Sequence, residues 1–192
     1  MKKTILAFAI VVGFCSFVEN ANADSTFTDS ASFSNAISTP NYYTNFISLS
    51  GTLSQPLILS GNGYSTTITT GSGSNLNASG GHIFDGGDVS LIFTFTLGEE
   101  VTAVGGSFFD GAANNVLATL NDGSNYLINA ASGYVGFTST SPITSLTITA
   151  PGGGIPGANS IQFGGAVPEP FTYALFGLGA LALVIVYRRR SA

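Results

Sequence analysis

The chain has 192 residues, of which 8% are charged, with 10 acids against 5 bases and a net charge of −5; its mean hydropathy is +0.39. All five bases (Lys2, Lys3, Arg188, Arg189, Arg190) lie at the termini, so residues 24–166 carry eight carboxylates and no Lys or Arg. Nucleic-acid binding and attachment to anionic lipid are excluded, because both begin with cationic side chains against phosphate.

Lys2 and Lys3 precede an apolar run from Thr4 to Val18, and Ala21-Asn22-Ala23 supplies the small-x-small pattern of a cleavage site. This is a secretory signal peptide with the cut between Ala23 and Asp24, and it implies passage through the Sec export machinery. The apolar run is shorter than the ~20 residues a retained anchor needs. Cys15 leaves with the signal, so the mature chain has no cysteine. An exported domain without disulfides must be held by its core alone.

Residues 24–166 then form one extracytoplasmic domain, long enough to bury roughly two-thirds of its unfolded surface. A short helix is expected at its start, with Asp29 as N-cap and Phe33, Ala36 and Ile37 at i, i+3, i+4, ending by Ser38 before Pro40. Beyond that the period is two. Leu91, Phe93, Phe95 and Leu97 alternate with Ser90, Thr94 and Thr96. Val116, Ala118 and Leu120 alternate likewise, and so do Leu146, Ile148 and Ala150. Asn121-Asp122-Gly123-Ser124 reads as a hairpin connection. Further strands are expected near 43–49, 56–60, 64–70, 101–109, 125–129, 134–138 and 160–164, with a loop over 151–158 and a spacer at Gly164-Gly165-Ala166. Short strands with turns every 8 to 12 residues predict a mainly β fold, a sandwich of jelly-roll type with one short N-terminal helix. No fixed-period repeat supports a β-solenoid.

Catalytic chemistry is poorly supplied. The domain has one His, His82, read as a loop or strand-edge residue, and no Cys, Lys or Arg. Nucleophile–base pairs therefore have one available base and no cationic electrophile. Glu99 and Glu100 are adjacent, which is wrong for two carboxylates facing each other across a sugar. No enzyme is expected. Asp85-Gly86-Gly87-Asp88 between two strands, and Asp110 followed by Asn114 and Asn115, offer hard oxygen ligands suited to calcium. The same residues are what tight turns require; Asp85 and Asp88 are the candidate metal pair. Sugar binding on a sandwich wants exposed aromatic platforms, and without Trp the candidates are Tyr42, Tyr43, Tyr64, Tyr126 and Tyr134. The Thr94/Thr96 and Thr147/Thr149 pairs are ordinary outward strand residues, although such rows also order water.

At the C-terminus Val167-Pro168-Glu169-Pro170 is held extended by its two prolines. Seventeen uncharged residues, Phe171–Tyr187, follow; as a helix they span about 26 Å, enough for a short transmembrane helix. The basic stop Arg188-Arg189-Arg190 fixes that end on the cytoplasmic side, which leaves residues 24–166 outside the inner membrane.

Motif, helix and basic tail in this order resemble a PEP-CTERM sorting signal over residues 167–192. Phe171 departs from the pattern, where the family usually carries a small hydroxyl residue. The resemblance implies recognition and cleavage near Val167, Pro168, Glu169 and Pro170 by an exosortase, a separate membrane enzyme. It also implies a Gram-negative bacterium and a destination at the cell surface or in an extracellular matrix of exopolysaccharide. Within the ectodomain, Ala103–Phe109, Leu120-Asn121-Asp122-Gly123, Gly136–Ser139 and Pro142–Leu146 follow an order similar to PEP-CTERM surface proteins. That likeness implies adjacent strands of a sandwich similar to carbohydrate-binding modules. The resulting expectation is a structural or adhesive surface protein; the alternative is a carbohydrate-binding module, with calcium assistance through Asp85 and Asp88.

Overall fold

A computed structural model describes residues 25–71, 75–87, 90–96, 100–112 and 115–167, with Gly179 and Tyr187 beyond them. The chain opens with β1 (Ser25–Phe27), α1 (Ser30–Ala36), β2 (Ile37–Thr44), β3 (Gly51–Leu53), β4 (Leu57–Gly61), β5 (Tyr64–Thr70), β6 (Leu76–Ser79) and β7 (His82–Asp85). It continues with β8 (Ser90–Thr96), β9 (Ala103–Asp110), β10 (Val116–Leu120), β11 (Asn125–Ile128), β12 (Ser132–Thr138), β13 (Ser145–Thr149) and β14 (Pro156–Ala166).

The strands make two sheets. One runs β1-β12-β9-β14-β7-β6-β3, with β2 also pairing β14; the other runs β11-β10-β13-β8-β5-β4. They pack face to face as a β-sandwich. Leu91, Phe93, Leu146 and Ile148 from the six-stranded sheet and Val104, Phe108, Ile161 and Phe163 from the eight-stranded sheet are fully buried between them. Phe93 meets Phe108 edge-on at 6.4 Å, and Phe95 meets Phe163 at 5.0 Å, so rings from opposite sheets interlock. Among the described residues, the core and every strand fall within residues 25–167, so this segment contains a complete core of its own.

The period-two strands fall where alternation places them, and 121–124 closes the β10–β11 hairpin, with Gly123 at φ +89° and Ser124 N–H donating to Asp122 Oδ1. Three expectations are corrected. The strand placed at 43–49 lies at Ile37–Thr44. The helix ends at Ala36, and Pro40 lies inside β2, where a register shift between Gly164 and Ala166 leaves it without a ladder partner. The 151–158 loop ends earlier, since β14 starts at Pro156. The spacer at 164–166 is strand: Gly165 N–H donates to the Tyr64 hydroxyl at 3.1 Å and Ala166 N–H to Thr102 Oγ1 at 2.8 Å. Strands β1, β3 and β6 were not expected.

Helix α1 forms where the cap predicts it. Asp29 Oδ1 accepts from Ser32 N–H at 2.8 Å, and that backbone bond first, then the Ser32 side chain, pulls its carboxyl below the usual range. A carboxyl lowered in the folded state contributes stability above its unfolded pKa, and the contribution fades as pH falls through the folded value. Asp29→Ala is therefore expected to lower the urea midpoint at neutral pH, with the two proteins converging on acidification. A gap that does not narrow as the pH falls would refute this role.

Among the described residues no helix is long and apolar enough to cross a membrane. The expected transmembrane segment, 171–187, lies outside the described residues apart from Gly179 and Tyr187, as do the signal cleavage site at Ala23 and Asp24, residues Pro168, Glu169 and Pro170, and the basic stop.

Candidate functional site: a neutral cleft on the outer face of the larger sheet

Helix α1 packs on the outer face of the eight-stranded sheet. Phe33 is fully buried there in a second, smaller core with Ile37 and Ala103. Beside the helix the same face stays open as a cleft of about 510 Å³, walled by Ser30, Ser34, Tyr43 and Tyr134. That volume is in the range of small-ligand pockets, about 300–1,000 Å³.

Register builds the floor. Tyr134 lies opposite Ser107, and Ser107 opposite Ser160, giving one cross-strand row over β12, β9 and β14. The next row runs Gly136, Gly105, Gln162 and Tyr43. The glycines are required. A Cβ on Gly105 would sit 2.6 Å from the Tyr134 hydroxyl and 3.0 Å from the Phe33 ring. A strand glycine marks such a close approach.

The cleft is polar and uncharged. Asn159 Nδ2 donates to Ser107 Oγ at 3.4 Å, Ser107 N–H to Ser160 Oγ at 3.3 Å, and Gln162 Nε2 to Asn41 Oδ1 at 3.1 Å. Among the described residues, two buried polar side-chain atoms have no hydrogen-bond partner, the Tyr134 hydroxyl and Asn159 Oδ1. Burial foremost, then the negative charge of Asp29 and the neighbouring Tyr43, pushes the Tyr134 phenol well above its ordinary value. The hydroxyl therefore stays neutral, able both to donate and to accept. Its ring leans on Phe33 at 6.0 Å, whereas Tyr43 is 59% exposed.

Other candidates separate from this site. Asp85 is buried at the end of β7, accepting from Gly87 N–H at 2.9 Å and Ser90 N–H at 3.2 Å. Asp110 Oδ1 accepts from Ala112 N–H and Ile155 N–H at 2.9 and 2.8 Å. Both carboxylates thus tie down backbone turns. Asp88 lies outside the described residues, and among the described residues no three His, Cys, Asp or Glu converge. His82 starts β7, exposed, edge-on to Phe109 at 5.5 Å. Of the five tyrosines, Tyr64 is core, Tyr42 and Tyr126 pack against it, and Tyr43 and Tyr134 border the cleft. Ser30, Ser34, Ser107, Ser160 and Gln162 had no distinguishing sequence signal; Gly105-Gly106 inside a strand was the one available mark.

Fold and cleft together define a β-sandwich with a helix-flanked, uncharged groove on one sheet. Residues 166–190 match the PEP-CTERM protein-sorting motif, which implies exosortase-dependent export and a cell-surface or extracellular destination. No curated protein matches the chain. Similar solved structures include a family 29 carbohydrate-binding module complexed with mannohexaose, 15% identical over 66% of this chain and 94% of the module, TM-score 0.35. Another, complexed with cellulohexaose, is 15% identical over 67% and 94%, TM-score 0.36. A third family 29 module is 16% identical over 70% and 98%, TM-score 0.35. These likenesses do not bear on what this chain binds.

Proposed function

We propose that the chain is an exosortase-processed surface or matrix protein of a Gram-negative bacterium, with a structural or adhesive role in an exopolysaccharide layer. On this reading it is not an enzyme and has no resident cofactor. It leaves through the Sec machinery and is held in the inner membrane by residues 171–187 until cut, its jelly-roll-type sandwich facing outward. The carrying observation is that the sorting motif joins the last strand without a linker: Val167 N–H still donates to Ala36 O at 2.8 Å, and the motif spans 166–190. Mass spectrometry of the surface pool is expected to find chains ending near Pro168–Pro170. Full-length chains retaining Arg188–Arg190 would overturn the processing step.

The cleft favours a second reading, a carbohydrate-binding module. Retention of residues 24–167 on extracellular polysaccharide tests it, and running the same retention with and without calcium reads any assistance through Asp85 and Asp88.

A further inference from the structure

We infer that the cleft bounded by Tyr43, Tyr134, Ser107, Ser160 and Gln162 is a binding site for an uncharged polysaccharide. The inference rests on the carbohydrate-binding reading and assigns it both a place and a ligand class.

Three observations converge. The first is the Tyr134 hydroxyl, which is buried with no hydrogen-bond partner among the described residues, on a side chain that lines the cleft. A buried hydroxyl left unpaired is costly, and a ligand hydroxyl entering the cleft relieves that cost. Asn159 Oδ1, on the residue that bonds Ser107, carries a second unpaired acceptor on the same strand segment. The second is the lining. Hydroxyls and an amide stand in two cross-strand rows, with the exposed Tyr43 ring as a platform at one side. Side chains that both donate and accept suit a ligand whose own groups do both, and an aromatic face suits the apolar face of a sugar ring. The third is charge. No Lys or Arg occurs between residues 24 and 166, and the Asp29 carboxylate acts on Tyr134 from beside the cleft. A uronate or sulfated chain would meet a negative field with no counter-charge, so the neutral glycan is the one the site accepts.

The test is affinity electrophoresis of the 24–167 sandwich through gels holding the uncharged or the acidic fraction of the cells' extracellular polysaccharide, with dextran and alginate as neutral and acidic references. Wild type is expected to be retarded by the uncharged fraction and not by the acidic one. Tyr134→Phe should weaken retardation about tenfold, the scale of one hydrogen bond, and Tyr43→Ala by a similar factor through lost stacking. Ile58→Thr, on the exposed edge of the opposite sheet, should change nothing. Tyr134→Phe also removes an unsatisfied buried group, so its melting temperature should hold or rise while binding falls. A purely structural Tyr134 hydroxyl would move both downward. Retention of wild type with Tyr134→Phe and Tyr43→Ala unaffected overturns this site and leaves the module reading standing. Preference for the acidic fraction overturns the ligand class. No retention on either fraction overturns both the site and the module reading.

Discussion

Phe33→Ala is expected to lower the unfolding free energy of the sandwich by about 3–5 kcal/mol, the usual cost of emptying a buried phenylalanine site. Phe33 is the main attachment of α1 to the sheet. It is fully buried, edge-on to Phe27 at 5.8 Å and against Tyr134 at 6.0 Å, while the seven-residue helix is too short to persist undocked. Its ring lies so close over Gly136 that a Cβ there would overlap it. Gly136→Ala should therefore destabilise on its own. In the Phe33→Ala background the added methyl enters space the ring has left, so the double variant should cost less than the sum of the singles. Urea unfolding of the four proteins checks the cycle, and strict additivity would show that the ring does not rest on this glycine. Tyr134 and the Ser30/Ser34 wall depend on the same contact, so Phe33→Ala should also abolish polysaccharide retention.

That contact explains what could be read from the sequence. The six-stranded sheet has one face in the core and the other turned outward, so buried Leu91/Phe93/Phe95, Val116/Ala118/Leu120 and Leu146/Ile148 alternate with less buried residues, mostly Thr, with Ile92 and Leu117 among them. The eight-stranded sheet is covered on both faces where α1 lies. There Ala103, Gly105, Gly136 and Gly164 are buried although they point away from the main core. Small residues packed against a helix erase the alternation, and a run such as Pro156-Gly157 or Gly164-Gly165 then looks like loop. For the same reason β14 reads as five residues, 160–164, when it has eleven.

The cleft was less legible still. Tyr43 and Tyr134 were two of five equivalent tyrosines until register put Tyr134 beside Ser107 and Tyr43 beside Gln162. Those rows join strands distant in sequence, and their pairing depends on the bulge between Ala158 and Ser160, which shifts β14 against β9. The sorting motif depends on no such register. It is read as a linear string, and the match at 166–190 begins one residue before the expected boundary.

Asp110→Ala is expected to cost about 3 kcal/mol, because it strips the acceptor from two backbone donors at once and bonds to a charged group are the stronger kind. Oδ1 takes both Ala112 N–H and Ile155 N–H. The same residue donates its own N–H to Ala131 O at 2.8 Å, and Gly111 N–H donates to Ile155 O at 2.9 Å. Asp110 therefore joins the end of β9, the approach to β12 and the start of β14, the strand that carries Ser160 and Gln162 into the cleft. Gly154 closes the site, since a Cβ there would overlap the carboxylate. Asp110→Asn keeps an oxygen at Oδ1 and should lose only about 1 kcal/mol, the difference between a charged and a neutral acceptor. Urea unfolding gives the costs, and hydrogen exchange should show the Ala112 and Ile155 amides unprotected in the Ala variant and protected in the Asn variant. Equal costs for Ala and Asn would mean that the carboxylate charge, not the shared acceptor, secures this corner. The comparison also separates the two uses of an aspartate in such a loop. Asn serves a backbone turn nearly as well as Asp but is a far poorer ligand for a hard cation, so a well-tolerated Asn assigns the residue to the turn.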